Sequence, residues 1–246
     1  MSLNDSLIIA SKNGDLTAAE EILSTNSSID INYRDERGST AIYHAAARGY
    51  LDLVALLVDF NADVNIPADD GQTTPIILAS ANGYLDIVEI LLQSNADINS
   101  CDQYGSTALI LASMNGHQNV VRILVECEAD VNIADKDGNT PLHYAVERGG
   151  DGAIVQLLID AKANVNVTDK YGNPPLFWAA TRDYANIVEM LLKANADVNI
   201  KNIYGEKPID AVADNEPMKV LLSQSIPSTK IPPKNGVLVR FVICIL

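Results

Sequence analysis

Basic residues are scarce: 17 Lys and Arg stand against 32 Asp and Glu in 246 residues, a formal net charge of −15. A surface that grips nucleic acid needs clustered cations to displace counterions. This balance excludes that class, and no nucleic-acid partner is expected. Aromatics are also few, at 5% with a single Trp. The core must therefore be built from Ala, Leu, Ile and Val, which suit close helix packing. Cysteine is limited to Cys101, Cys127 and Cys244, odd in number and widely spaced. No disulfide framework or zinc-type pair fits them, and a reducing, intracellular, cytoplasmic setting is expected. Residues 1–12 contain no basic segment followed by a long apolar one, so no secretory signal is expected. No apolar run reaches the ~18 residues of a spanning helix, so no membrane span is expected.

Chemistry-bearing motifs are missing as well. There is no Gly-x-Ser-x-Gly elbow, no phosphate-cradling loop ending in Lys-Ser/Thr, and no His-Glu-x-x-His. His44, His117 and His143 form no ligand-spaced pair with Cys, Asp or Glu. Asp63, Asp97, Asp130 and Asp197 lie a full repeat or more apart, whereas a calcium loop draws its oxygens from within a few residues. No catalytic, metal or cofactor residue is assigned, and the chain does not read as an enzyme.

What is present is a period. Ala62-Asp63-Val64-Asn65 returns as Ala96-Asp97-Ile98-Asn99, Ala129-Asp130-Val131-Asn132, Ala163-Asn164-Val165-Asn166 and Ala196-Asp197-Val198-Asn199. The Asn steps are 34, 33, 34 and 33 residues, and Asn32 extends the series backwards by 33. Gly38-Ser39-Thr40-Ala41 keeps the same beat with Gly105-Ser106-Thr107-Ala108 and Gly138-Asn139-Thr140-Pro141. The two longer steps are one-residue insertions near Gln72-Thr73 and Gly150 to Gly152. A period of this length signals a solenoid.

Each unit reads alike. Asp-x-x-Gly makes a turn, Thr caps a short Ala-rich helix, and Pro suits its first position. Gly49, Gly83, Gly116 and Gly149 break the chain before a second, apolar-patterned helix. That helix should end in a left-handed residue: Asn61, Asn95, Asn195 and, with some strain, Glu128 and Lys162.

These residues resemble the ankyrin repeat, whose pattern runs Asp-x-x-Gly-x-Thr-Pro-Leu-His, Ala-Ala-x-x-Gly-His, Ile-Val-x-x-Leu-Leu, Gly-Ala-Asp-Val-Asn. The stretch 135–145, DKDGNTPLHYA, is its best match, and the resemblance covers about residues 3 to 225. The implied fold is all-α: an ankyrin-repeat solenoid of helix-turn-helix units with β-hairpin-like finger loops. The units are an N-terminal cap at 1–34; repeats at 35–67, 68–101, 102–134, 135–168 and 169–201; and a C-terminal cap at 202–225. Pro174 and Lys207 depart from the capping Thr and Asp183 from the inter-helix Gly. A proline-containing linker and apolar tail follow at 226–246, which could dock on the last repeat, pair with a partner, or be a reading-frame remnant.

The resemblance implies a protein-binding scaffold or adaptor that engages its partner through finger tips and the concave face of the first helices, with no cofactor. A dedicated inhibitor or regulatory subunit of one enzyme is the alternative, and a metal- or nucleotide-dependent enzyme a remote third. Positions outside the framework are free to bind. Aromatic and arginine side chains dominate interface energetics, which selects Tyr104, Met114, Tyr144, Glu147, Arg148, Tyr171, Trp178, Arg182 and Tyr204. For Tyr144 and Trp178, packing beneath the fingers is an equal alternative. His143 and His117 fall in structural slots, and His44 lies on a first helix, facing the groove. Residues 226–246 hold three cations and no acid, so the repeats carry 17 − 3 = 14 cations against 32 acids, net −18. A monomer binding a protein partner with a basic or amphipathic segment is expected. The resemblance also puts Asn65, Asn99, Asn132, Asn166 and Asn199 in the slot that asparaginyl hydroxylases modify in some ankyrin repeats; a purely structural hairpin Asn is the alternative.

Overall fold

The turn-and-cap chemistry works as read at Thr40 and Thr107, whereas the Thr74 hydroxyl makes no cap bond and lies 3.0 Å from Ser100 Oγ instead. Thr40 and Thr107 accept the backbone N–H of Tyr43 and Ile110 through their hydroxyls. Each thereby satisfies one donor that a helix start leaves open. Pro75, Pro141 and Pro175 occupy first helical positions, where a missing N–H removes no helix bond.

The computed structural model describes residues 2–25, 28–69, 71–149, 152–212 and 215–223. Among them are thirteen helices and no strand: α1 (Leu3–Asn13), α2 (Leu16–Thr25), α3 (Ala41–Arg48), α4 (Leu51–Asp59), α5 (Pro75–Asn82), α6 (Leu85–Gln93), α7 (Ala108–Asn115), α8 (Gln118–Glu126), α9 (Pro141–Arg148), α10 (Ala153–Asp160), α11 (Pro175–Thr181), α12 (Ala185–Lys193) and α13 (Glu216–Ser223). No helix among the described residues is long and apolar enough to cross a membrane. The apolar tail lies outside the described residues.

First helices pack on first helices, α1 on α3 and so on to α11. Second helices pack on second helices, from α2 to α12 and then α13. Each unit thus closes its core on its neighbours, which is the solenoid the period implies. The same register fills that core every time. Ile42, Ile76, Leu109, Leu142 and Leu176 are sealed on the first helices. Leu53-Val54-Leu57, Ile87-Val88-Leu91, Val120-Val121-Leu124 and Ile187-Val188-Leu191 are sealed on the second. Small residues let first helices approach closely. Three of these small residues, Ser11, Ser80 and Ser113, bury hydroxyls with no hydrogen-bond partner among the described residues, a local cost the packing offsets.

The helix ends follow the sequence reading. Asn61, Asn95 and Asn195 take φ of 63°, 60° and 67°, and Glu128 and Lys162 take 65° and 70°. A side chain there costs about 1 kcal/mol or more relative to glycine. Asp183 joins them at φ 60° in the inter-helix slot, where Asn215 donates its amide N–H to the carboxylate at 2.5 Å. Among the described residues of 202–223 the one helix is the second, α13. Their first helix is reduced to a turn at 208–211, with Asp210 accepting the Lys207 N–H at 2.8 Å. Lys207 offers no capping oxygen, and no further described unit packs against that turn.

Candidate partner-binding surface

Four fingers are built around one carboxylate oxygen and a fifth around an amide oxygen. Asp35 Oδ1 accepts the N–H groups of Arg37 and Ser39, Asp102 Oδ1 those of Tyr104 and Ser106, and Asp135 Oδ1 those of Asp137 and Asn139. Asp169 does the same for Tyr171 and Asn173, and Asn202 for Tyr204 and Glu206. The fingers then join through backbone bonds, among them Lys136 N–H to Tyr104 O at 2.9 Å, Lys170 N–H to Asp137 O at 2.7 Å and Ile203 N–H to Tyr171 O at 2.9 Å. The tips are therefore tight turns with hairpin-type bonding; the one β-bridge among the described residues pairs Cys101 with Thr107.

The second carboxylate oxygen ties finger to helix. Asp135 Oδ2 accepts the Tyr144 hydroxyl at 2.5 Å, and Asp169 Oδ2 accepts the Trp178 indole N–H at 3.0 Å. His44 Nε2 lies 2.9 Å from Asp35 Oδ2, which also receives Lys12 Nζ at 2.8 Å. Tyr144 and Trp178 are thus half-buried struts beneath their own fingers. His44 is buried rather than facing the groove. Burial, then the bond to Asp135, push the Tyr144 phenol up to about 12. Burial raises the Asp35 carboxyl, but the bonds from Lys12, His44 and two backbone N–H groups outweigh it and hold the group well below the usual carboxylate range. For Tyr144 and Trp178 this is the packing beneath the fingers that the sequence offered as an equal alternative, and its signal is a ring donor nine residues after the finger Asp.

The remaining selected residues divide by exposure. Tyr104, Tyr171 and Tyr204 project from three tips with 64%, 45% and 73% of their surface exposed. Ile203, which sequence reasoning passed over as an anchor, is 63% exposed beside Tyr204. Its position in the finger was the available signal. Met114 is half-buried at the end of α7; Glu147 and Arg148 are exposed at the end of α9. Arg182 caps α11, donates to Glu147 at 2.8 Å and stands 5.2 Å over the Trp178 ring. Arg148 lies across Gly116 of the preceding unit. These groups form one row along the fingers and first helices of successive units rather than one pocket.

The finger of the third unit, 68–101, is different. Ala68 replaces its carboxylate, and Gln72 at the insertion takes φ 54°. A recess of about 450 Å³ opens beside it, touched by Arg34, Gln72, Thr74 and Ser100.

The repeated asparagines form a ladder. The amide oxygens of Asn65, Asn99, Asn132 and Asn166 accept the N–H of Asp97, Asp130, Asn164 and Asp197 in the following units, at 2.7–3.0 Å. Asn199 accepts Lys207 Nζ instead, at 3.1 Å. His143 also bridges units: burial lowers its imidazole, and its Nε2 lies 3.2 Å from Asn173 O. The neutral ring accepts the Thr140 N–H at Nδ1 and donates from Nε2. His117 reaches Ala81 O in the previous unit at 3.0 Å. No group of three His, Cys, Asp or Glu among the described residues is placed to hold a metal.

Charge is segregated between the layers. Helices α4, α6, α8, α10 and α12 carry Asp52, Asp59, Asp86, Glu89, Glu126, Asp160 and Glu189 against Arg122 and Lys193. Helices α3, α5, α7, α9 and α11, with the Arg182 cap, carry Arg48, Arg148 and Arg182 against Glu147 alone. On these helices the acidic surplus behind the expected basic partner segment sits mainly in the second-helix layer.

Comparison with known proteins places this architecture. The chain is 35% identical over 77 residues to Caskin-2 of Homo sapiens, covering 27% of this chain and 6% of that one. It is 40% identical over 60 residues to an ankyrin repeat protein of Rickettsia felis, covering 24% of this chain and 19% of that one. It therefore spans only a small part of these curated relatives. Among solved structures, the ankyrin repeat domain of Bcl-3, a member of the IkappaB protein family, superposes with a TM-score of 0.78 at 26% identity, over 88% of this chain and 97% of that one. An ankyrin repeat domain from Acinetobacter baumannii gives 0.72 at 38% identity, over 78% and 98%. The family model for ankyrin repeats matches in three copies, at 7–102, 94–169 and 135–202. With that match unbroken from residue 7 to 202 and the ladder and finger bonds repeating through it, the chain belongs to the ankyrin-repeat family.

Proposed function

We propose that this chain is a scaffold or adaptor that binds a partner protein along the fingers and first helices of its fourth to seventh units. Ankyrin repeats are a general protein–protein interaction scaffold. The observation that carries the placement is the row of exposed Tyr104, Tyr171, Ile203 and Tyr204 on fingers held rigid by an internal carboxylate or amide. Rings fixed in advance bury large area at little entropic cost, which is what an interface anchor needs. Met114, Glu147, Arg148 and Arg182 border the row on the first helices, and Tyr144 and Trp178 brace it from beneath.

The test uses Tyr171→Ala together with Tyr204→Ala, because both rings stand clear of the core. Trp178→Ala is a poor probe, since it removes a strut. A partner captured on the immobilised full chain should bind this double variant at least about tenfold more weakly, with an unchanged unfolding midpoint. Unchanged affinity would overturn the placement. Capture of one enzyme at one-to-one stoichiometry, with its activity suppressed, would assign the inhibitor reading in place of the scaffold.

A further inference from the structure

Resting on the surface just proposed, we infer that the partner segment seated there is acidic. Net charge alone argues for a basic partner, but a docked segment answers to the groups it touches. Charges beyond about 8–10 Å are largely screened at physiological salt. On the fingers of the fifth, sixth and seventh units, on α9 and on α11 with its cap, the outward charged groups are Lys136, Asp137, Glu147, Arg148, Lys170, Arg182 and Glu206. All three acids are already engaged: Asp137 receives Lys170 at 2.9 Å, Glu147 receives Arg182 at 2.8 Å, and Glu206 accepts the Asn202 amide N–H at 3.0 Å. Lys136 and Arg148 have no ion pair among the described residues.

The finger carboxylates offer no counterweight. Asp169 is buried and accepts two backbone N–H groups, the Trp178 indole and the Asn173 amide. Asp135 accepts two N–H groups and the Tyr144 hydroxyl. What this face presents to a partner is therefore a surplus of cations over carboxylates, with the Lys136 ammonium and the Arg148 guanidinium left without an ion pair beside the tip phenols. A guanidinium matches a carboxylate with paired hydrogen bonds. The ligand that fits is a peptide segment with Asp or Glu facing Lys136 and Arg148 and apolar side chains against Tyr171, Ile203 and Tyr204. The acidic second helices face away from such a segment and would repel it from binding on the wrong side.

The experiment pans a display library of short random peptides against the full chain and measures affinity of the recovered binders. Selected peptides should be enriched in Asp and Glu. Each of Lys136→Glu and Arg148→Glu should weaken them at least about tenfold. Lys136 is exposed and touches no core group, so its variant keeps the test valid if Arg148→Glu disturbs Gly116. Enrichment of Lys and Arg, affinities indifferent to both reversals, or no binder at all would overturn the inference. Binders that lose affinity with Tyr171→Ala and Tyr204→Ala but ignore the reversals would refute the acidic segment alone. Binders indifferent to all four substitutions would refute the proposed surface itself.

Discussion

Gly83→Ala should lower the unfolding free energy by about 3 kcal/mol, far more than one added methyl suggests. Three effects combine. Gly83 has φ 76°, and a left-handed residue with a side chain costs about 1–2 kcal/mol. A Cβ there would lie 2.6 Å from His117 Nδ1 and 2.8 Å from its Cε1, so the ring must move. Moving it breaks the 3.0 Å contact from His117 to Ala81 O, worth about 1 kcal/mol. Gly205→Ala isolates the first effect. It has φ 81° and nothing within 4 Å of its would-be Cβ, so about 1 kcal/mol is expected. Urea unfolding of both variants checks this; equal losses would show that the ring contact contributes nothing.

Leu109→Ala should cost about 2–5 kcal/mol, because the side chain is fully buried in α7 with first helices packed on both sides. The position matters as much as the residue. In a linear array, stability is a sum of unit terms and nearest-neighbour interfaces. A central cavity weakens two interfaces. Leu222, equally buried in terminal α13, has a described neighbour on one side. Leu222→Ala should therefore cost roughly half as much. Comparable losses at the two sites would contradict unit-by-unit packing.

How much of this was legible in the sequence depended on the range of the interaction. Helix caps and left-handed ends follow from local chemistry, so Thr40, Thr107, Asn61 and even the strained Glu128 and Lys162 could be read directly. The asparagine ladder was visible as a period, though its bond crosses units. The struts were harder. Tyr144 and Trp178 read equally as anchors or as packing beneath the fingers until the finger turn brings Asp135 and Asp169 onto them. Whole-chain charge is a coarse guide for a related reason. Net charge sums over the chain, whereas binding depends on which helix layer carries each group, and that division appears only once the units stack. In the seventh unit Lys207 stands where Thr would cap, and residues 208–211 form a turn in place of a first helix.

The proposed working face is the row of fingers and first helices of the later units. Amide hydrogen exchange of the full chain, with and without its captured partner, tests it most directly. Slowed exchange is expected at 102–106, 135–139, 169–173 and 202–206 and at the ends of α9 and α11, with α4, α6 and α8 unchanged. Slowing confined to the second helices, with the fingers unaffected, would contradict the account.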